Sequence, residues 1–472
     1  MARTFYYSMT PRTTSLLRQL GVYSATALVV SNMIGTGIFT TSGFLAADLG
    51  TSSLVLGIWV FGAVCSLAGA FCYSELGINF PSSGGEYVYL TEAYGPTWGF
   101  MTGWVSFFAG FSAPIALAAL AVSAYLGYFF PSLQFSASTP LFGKGDWEFR
   151  FGGAQLLAML IVAAFTAINC IGVKTTARVQ NVLTGTKVLV IILFLVGGFA
   201  FGTGSWDHFS MPATRTSTTP IFLQFFVSIF FTYLAYSGWN AATYVAEELE
   251  QPARTLPLSL AWGTALVATL FIGLNVLFIY AVPLEKLKGE VAVGALAAKY
   301  LFGPAVAGAF AAAMALSLLA TVNAMVTIGP RVYYAMAKNG AFFATAAKIH
   351  PRFHTPIVAI LCQGLCTIVL TITPFINLVL FIAFALNFFA VMSVASLFVF
   401  RRRPGWHRIR AVSFAWPLVP VFFILVGLAM TIVGLRLRPI VSWSALLLIV
   451  SGAVLYRMRF SKDDRLRRVF NP

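Results

Sequence analysis

Apolar runs recur along nearly the whole chain, near 21–42, 54–79, 97–130, 152–171, 182–203, 220–246, 256–282, 303–336, 355–372, 375–400, 413–434 and 440–456. Each is long enough to cross roughly 30 Å of hydrocarbon as a helix. Only short polar connections separate them, the longest near 131–151, 204–219, 283–300 and 337–354. The pattern predicts an all-α membrane protein of about twelve transmembrane helices in one transmembrane domain over 1–472, with no soluble domain.

Two runs are interrupted where a helix has no local reason to break. Ser31 to Thr40 reads SNMIGTGIFT in the first, and Ala235 to Asn240 reads AYSGWN in the sixth. Each glycine inside a helix weakens it by roughly 1 kcal/mol relative to alanine. Taken alone, Gly35 and Gly37 fit a notch for close helix packing as well as they fit an unwound segment. Five spans separate the two interruptions, so the second enters the membrane from the opposite side. That spacing favours a five-plus-five inverted repeat whose broken helices 1 and 6 meet at the bilayer midplane. The repeats would cover about 20–203 and 219–401, with helices 11 and 12 at about 413–456 outside them.

Composition and charge narrow the function. Of the 472 residues, 59% are hydrophobic and 9% charged, whereas soluble domains carry about 25% charged residues. The net charge of +16 is distributed by topology: with the N-terminus inside, 21 of the 30 Lys and Arg fall on the inner side and 8 outside, and Lys187 lies within a span. The positive-inside rule then places both termini in the cytoplasm of a multi-pass plasma (inner) membrane protein, and the basicity needs no nucleic acid. No cleavable signal peptide is expected in the first run. The five cysteines fall in or beside spans and read as buried thiols without disulfides.

Catalysis finds little support. All four histidines (His208, His350, His354, His407) lie in loops, and prolines at 351 and 356 disrupt the helix that His350 and His354 would need to share a metal. No acidic residue falls mid-span, and Glu75 is the deepest. Neither an enzyme, a metal nor a cofactor is expected.

Unwinding at Gly35–Gly37 offers a different chemistry. It frees amides of Thr36, Gly37 and Ile38 to receive a carboxylate, and carbonyls near Met33 and Ile34 to receive an ammonium. The second break, Leu234–Gly238, supplies further carbonyls from Leu234, Ala235 and Ser237. Such a receptor binds a zwitterion with backbone alone, and glycine leaves room for the ligand. Tyr236 and Trp239 flank the second break as gating candidates. Asn240 either closes a gate, reads a substrate, or makes an interhelical hydrogen bond. Lys187 is the sole ionisable residue placed inside the membrane, where a charge costs a few kcal/mol and implies a role unless it snorkels to the nearby interface.

These stretches resemble the amino acid–polyamine–organocation (APC) superfamily, and within it the L-type amino acid transporter branch. MIGTGIF is similar to that family's unwound first helix, and YSELGINFPSSGGEYVYLTEAYGPTWGFMTGW (Tyr73 to Trp104) to its second-to-third-helix signature. FTYLAYSGWNAATYVAEELEQPARTLP (Phe231 to Pro257) resembles the sixth helix and following loop, and NAMVTIGPRVYYAMAKNG and FRRRPG the ends of the eighth and tenth. The resemblance implies Na+-independent transport of L-amino acids by alternating access, commonly as exchange, with a proton-coupled symporter as the alternative. It places Thr36 and Gly37 at the substrate carboxylate, and Met33, Leu234 and Ser237 at the amine. Asn240 matches an asparagine near the substrate. Lys187 matches a fifth-helix lysine standing in for sodium, directed at the Gly35 carbonyl and Thr321. Leu234 departs from a common gating phenylalanine. The loop at 131–150 has no cysteine for a heavy-chain partner, so the chain is expected to work alone. With no acidic side chain in the inferred pocket, a neutral amino acid is the expected substrate.

Overall fold

The computed structural model describes residues 18, 20–81, 84–144, 148–171, 174–338, 342–353 and 355–460, with side chains except at 174–186, 335, 338, 459 and 460. His354 and the basic residues of the tail beyond 460 lie outside the described residues, as do the side chains of Lys174 and Arg178.

The first apolar run is three helices: α1 (Val22–Met33), α2 (Gly37–Thr40) and α3 (Ser42–Leu49). It is followed by α4 (Ser52–Asn79), which ends two residues before Pro81, and by α5 (Glu86–Tyr94), which starts from a Gly84–Gly85 turn. The third run joins α6 (Pro96–Val105) to α7 (Ala113–Leu126) through a π-helical turn at Ser106–Ser112, where the Ser112 hydroxyl donates to the Phe107 carbonyl at 2.6 Å. Next come α8 (Gly153–Ile171), α9 (Lys174–Phe201) and α10 (Ile221–Tyr236). A 3-10 helix over Ala241–Glu248 leads into α11 (Pro252–Ala281). Two short helices, α12 (Leu284–Leu287) and α13 (Val293–Phe302), precede α14 (Pro304–Lys338) and α15 (Ile357–Leu370). The chain closes with α16 (Phe375–Phe400), α17 (Arg410–Ser413), α18 (Leu418–Leu437) and α19 (Pro439–Leu455).

Among the described residues, ten helices are long and apolar enough to cross a membrane. The expected span 182–203 lies on α9, of which Lys187–Phe201 is the apolar part among the fully described residues, and the span expected at 355–372 is the shorter apolar helix Ile357–Leu370. The fold is all-α apart from one unforeseen hairpin in the 131–151 connection, where β1 (Thr139–Phe142) pairs antiparallel with β2 (Phe149–Phe151). Phe142 stacks on Phe149 across the strands at 4.5 Å, the cross-strand aromatic contact that stabilises a hairpin. The cysteines are all free, but Cys362 is exposed on the helix surface rather than buried, because α15 turns that side outward.

The core is built around α4, α7, α11 and α16. In α7, alanines at 113, 116, 118, 119 and 121 are all fully buried, and small side chains of this kind let helices approach closely without a hydrophobic drive between them. Against this frame α1 and α4 pack on α11, while α2 and α3 contact α10. On the face away from Arg18, the segment carrying α12 and α13 closes over α3. The Gly289 amide donates to the Gly43 carbonyl at 2.9 Å, and a Cβ at Gly43 would lie 2.1 Å from the Glu290 carbonyl oxygen. Glycine is therefore required there for close approach.

Candidate functional site

The first run does unwind at its glycines. α1 ends at Met33, Ile34 to Gly37 leaves the regular ladder, and the Gly35 amide turns back to the Met33 carbonyl at 2.9 Å. Among the described residues the amides of Thr36, Gly37 and Ile38 have no backbone acceptor. They form the unpaired positive end of the second half of the helix, buried in the bundle, where an anion is favoured. Two threonine hydroxyls tighten that half: Thr40 donates to the Thr36 carbonyl at 2.9 Å and Thr41 to the Gly37 carbonyl at 2.7 Å.

The sixth run breaks too. α10 stops at Tyr236, Ser237 adopts an extended ψ of 149°, and Gly238 has φ +98°, a conformation that favours glycine. The Ser237 amide donates to the Leu234 carbonyl at 3.0 Å. Met33 and Leu234 thus each hold one turn hydrogen bond, and a carbonyl has a second lone pair for a ligand.

The two breaks touch. A Cβ at Gly37 would meet Ala235 Cα at 2.3 Å, and one at Gly238 would meet the Asn32 carbonyl oxygen at 2.9 Å. Gly35 is different: its nearest neighbour is the Met33 carbonyl oxygen at 4.0 Å, and it is partly exposed. A side chain therefore has room at Gly35, whereas backbone closes the Gly37 side.

Lys187 is buried, and its Nζ donates to the Ile34 carbonyl at 2.5 Å. The acceptor is one residue before the expected Gly35, because Ile34 is the carbonyl freed as α1 ends. Thr321 is not its partner: the Thr321 hydroxyl is buried with no hydrogen bond among the described residues. Tyr236 also departs from the expected gating place. It is fully buried, donates its hydroxyl to the Trp59 carbonyl at 3.1 Å, and packs edge-on against Trp59 and tilted against Phe271. It holds α10 to α4 and α11.

Trp239 and Asn240 lead to a residue that sequence reasoning missed. Trp239 packs edge-to-face on Tyr73 at 4.8 Å, and Tyr73 donates its hydroxyl to Glu86 Oε1 at 2.7 Å. Asn240 Nδ2 donates to the same oxygen at 3.3 Å and to the Tyr244 hydroxyl at 3.3 Å. Asn240 is thus part of a latch between the second break and α5, which lies between spans. Glu86 is delivered inward because Gly85, at φ +50°, lets the chain come against Tyr244: a Cβ there would lie 2.6 Å from the ring. Desolvation by burial pushes the Glu86 carboxyl from 4.5 up to about 7, opposed by the hydrogen bonds from Tyr73 and Asn240. The available signal was the Gly-Gly pair immediately before an acid at the first position of a largely apolar helix.

A second acid anchors the cytoplasm-facing loop of the expected topology. Glu75, fully buried, is gripped by Arg401 through both oxygens at 2.6 and 2.5 Å and accepts from the Trp406 indole at 2.9 Å. Among the described residues no group of three His, Cys, Asp or Glu is placed to hold a metal.

A bundle of membrane helices whose two broken members meet, leaving backbone amides unpaired beside a buried ammonium, defines a permease rather than an enzyme. Comparison with known proteins agrees: the family model described as amino acid permease matches residues 20–455, and the chain belongs to that family. It is 28% identical over 455 residues to the mouse (Mus musculus) large neutral amino acids transporter small subunit 2, covering 94% of this chain and 81% of the relative. It is 30% identical over 415 residues to the serine/threonine exchanger SteT of Bacillus subtilis (strain 168), covering 87% and 89%. The mouse b(0,+)-type amino acid transporter 1 is 28% identical over 94% of this chain and 88% of its own. The chain is a multi-pass membrane protein of amino acid transport, within the APC superfamily and similar to its L-type branch.

Proposed function

We propose that this protein exchanges neutral L-amino acids across the membrane by alternating access, without Na+ and without a heavy-chain partner. The observation that carries the reading is the pairing of three free amides, at Thr36, Gly37 and Ile38, with the Lys187–Ile34 bond one turn away. The amides take the α-carboxylate; the carbonyls of Met33, Leu234 and Ser237 and the open side at Gly35 take the ammonium. Lys187 supplies, from the protein itself, a fixed positive charge at the end of α1, so no monovalent cation is needed there. The contact between Gly37 and Ala235 makes one broken helix responsive to the other, and the Glu86–Asn240–Tyr73 latch closes the side of the termini. Names of relatives support exchange of neutral substrates, the serine/threonine exchanger among them. Both termini are assigned to the cytoplasm from the lysine and arginine asymmetry, and the two halves are read as inverted repeats.

Counterflow in proteoliposomes tests the proposal. Labelled alanine, serine and leucine should enter vesicles preloaded with amino acid, at the same rate in Na+ or choline. Entry into empty vesicles driven by a pH gradient would replace exchange with proton symport through Lys187.

A further inference from the structure

On the face that carries Arg18, a cavity of about 860 Å³ opens between the end of α4, the start of α11 and the 406–411 loop. Its rim is Arg18, Arg254, Arg408 and Arg410, and its wall includes Phe71, Ile78, Leu258 and Ala261. From the geometry we propose that this cavity binds an anionic phospholipid of the surrounding leaflet, phosphate at the arginines and acyl chains against the wall.

Three observations carry it. First, none of the four arginines is ion-paired among the described residues: Glu75, the acid on α4, is held by Arg401, and Glu248 and Glu250, which flank the Leu20–Leu249 bridge beside Arg18, form no ion pair with the rim. The chain before Arg18 adds Arg3 and Arg12 and no Asp or Glu, so it has no anion to offer the rim.

Second, the rim is built. Ile409 donates its amide to Glu75 Oε2 at 3.3 Å, and the His407 amide and carbonyl are both bonded to the Asn79 side chain, at 2.9 and 2.8 Å. These bonds fix the loop that presents Arg408 and Arg410. α11 starts at the same rim, and the Ala253 amide has no backbone acceptor among the described residues, which adds the positive end of a long helix to the arginine charge.

Third, the cavity is amphipathic along the membrane normal, which separates a lipid from free phosphate. Arg254 and Ala261 on α11 are seven residues apart, roughly 10 Å of helix. Immediately beside the cavity, Trp262 and Phe414 are 65% and 96% exposed, a surface matched to acyl chains and not to water. Basic pockets between helices at this level bind anionic head groups.

The test uses the full chain purified from vesicles of phosphatidylcholine alone or of phosphatidylcholine and phosphatidylglycerol in equal parts, with retained lipid measured by native mass spectrometry. Phosphatidylglycerol should be retained in preference to phosphatidylcholine. Arg254→Ala with Arg410→Ala should lower that retention about 25-fold, since each arginine near an anionic surface contributes roughly fivefold. Arg254→Lys with Arg410→Lys should keep most of it, which separates lost charge from lost fold. The charge-matched control, Arg352→Ala with Arg402→Ala on the rest of the basic surface, should leave it unchanged. Equal retention of both lipids, an equal loss in the control, or displacement of the lipid by inorganic phosphate would overturn the proposal. So would retention that appears only after residues 2–17 are deleted, because that assigns the cavity to the chain itself.

Discussion

The contact between the two breaks makes Gly37→Ala and Gly35→Ala opposites, although the residues are two apart. At Gly37 the new methyl would lie 2.3 Å from Ala235 Cα, 2.7 Å from its Cβ and 2.9 Å from its nitrogen, against 3.4 Å at the near edge of ordinary contact. Two of these atoms are backbone, so rotamer change gives no relief and α2 must part from α10 by about 1 Å. Overpacking of this kind costs about 1–3 kcal/mol. Displacing a binding group by about 1 Å can lose around a hundredfold in rate. Gly37→Ala should therefore lower Tm in detergent and reduce counterflow by one to two orders of magnitude. At Gly35 the methyl meets only the Met33 carbonyl oxygen at 4.0 Å. That variant should fold with wild-type Tm yet raise KM, since the methyl fills the space beside the free amides. Initial counterflow rates over a range of serine and leucine concentrations, with Tm measured in parallel, separate the two. Wild-type KM in Gly35→Ala would refute a backbone receptor at the break, and wild-type exchange by Gly37→Ala would show that the breaks do not act together.

Three further outcomes are expected. Lys187→Ala removes a charge-assisted hydrogen bond worth about 1.5–3 kcal/mol and should slow exchange at least tenfold in the vesicle assay, where each 1.4 kcal/mol is a factor of ten; unchanged exchange at wild-type Tm would dismiss its coupling role. Glu86 binds its proton more tightly folded than unfolded, so its contribution to stability is fullest below pH 4.5 and is lost as pH rises toward about 7. Tm should fall across that window, and Glu86→Gln should flatten the fall when melting is followed against pH. Arg401→Ala strands the buried Glu75 carboxylate and should destabilise by about 3–5 kcal/mol, read as a drop in Tm; a neutral result would mean that water reaches Glu75.

Hydropathy is a local property, and the features it governs could be read residue by residue: the apolar spans, the glycines that interrupt two of them, and a single lysine inside the membrane. Glycine propensity alone left Gly35–Gly37 open between a packing notch and a break, and the matching interruption at AYSGWN five spans later favoured the break. The partner of each group was decided elsewhere. Lys187 and Ile34 are 153 positions apart, and only the placement of α9 on α14 and α11 brings Lys187 to Ile34 rather than Gly35. Tyr236 stands beside the break in sequence, yet helix phase turns its ring to Trp59 and Phe271. Glu86 looks like an ordinary loop acid until Gly85 lets the chain approach Tyr244 and sets its carboxylate, half-buried, against Asn240 and Tyr73. Arginines at 18, 254, 408 and 410 belong to three separate segments, and they form one rim only because Glu75 and Asn79 fix the 406–411 loop beside the start of α11. Sequence set which segments leave water and where their helices fail; tertiary packing chose which polar groups meet, because in lipid an unpaired charge costs several kcal/mol, and Lys187, Glu86 and Glu75 each take a partner from a distant segment.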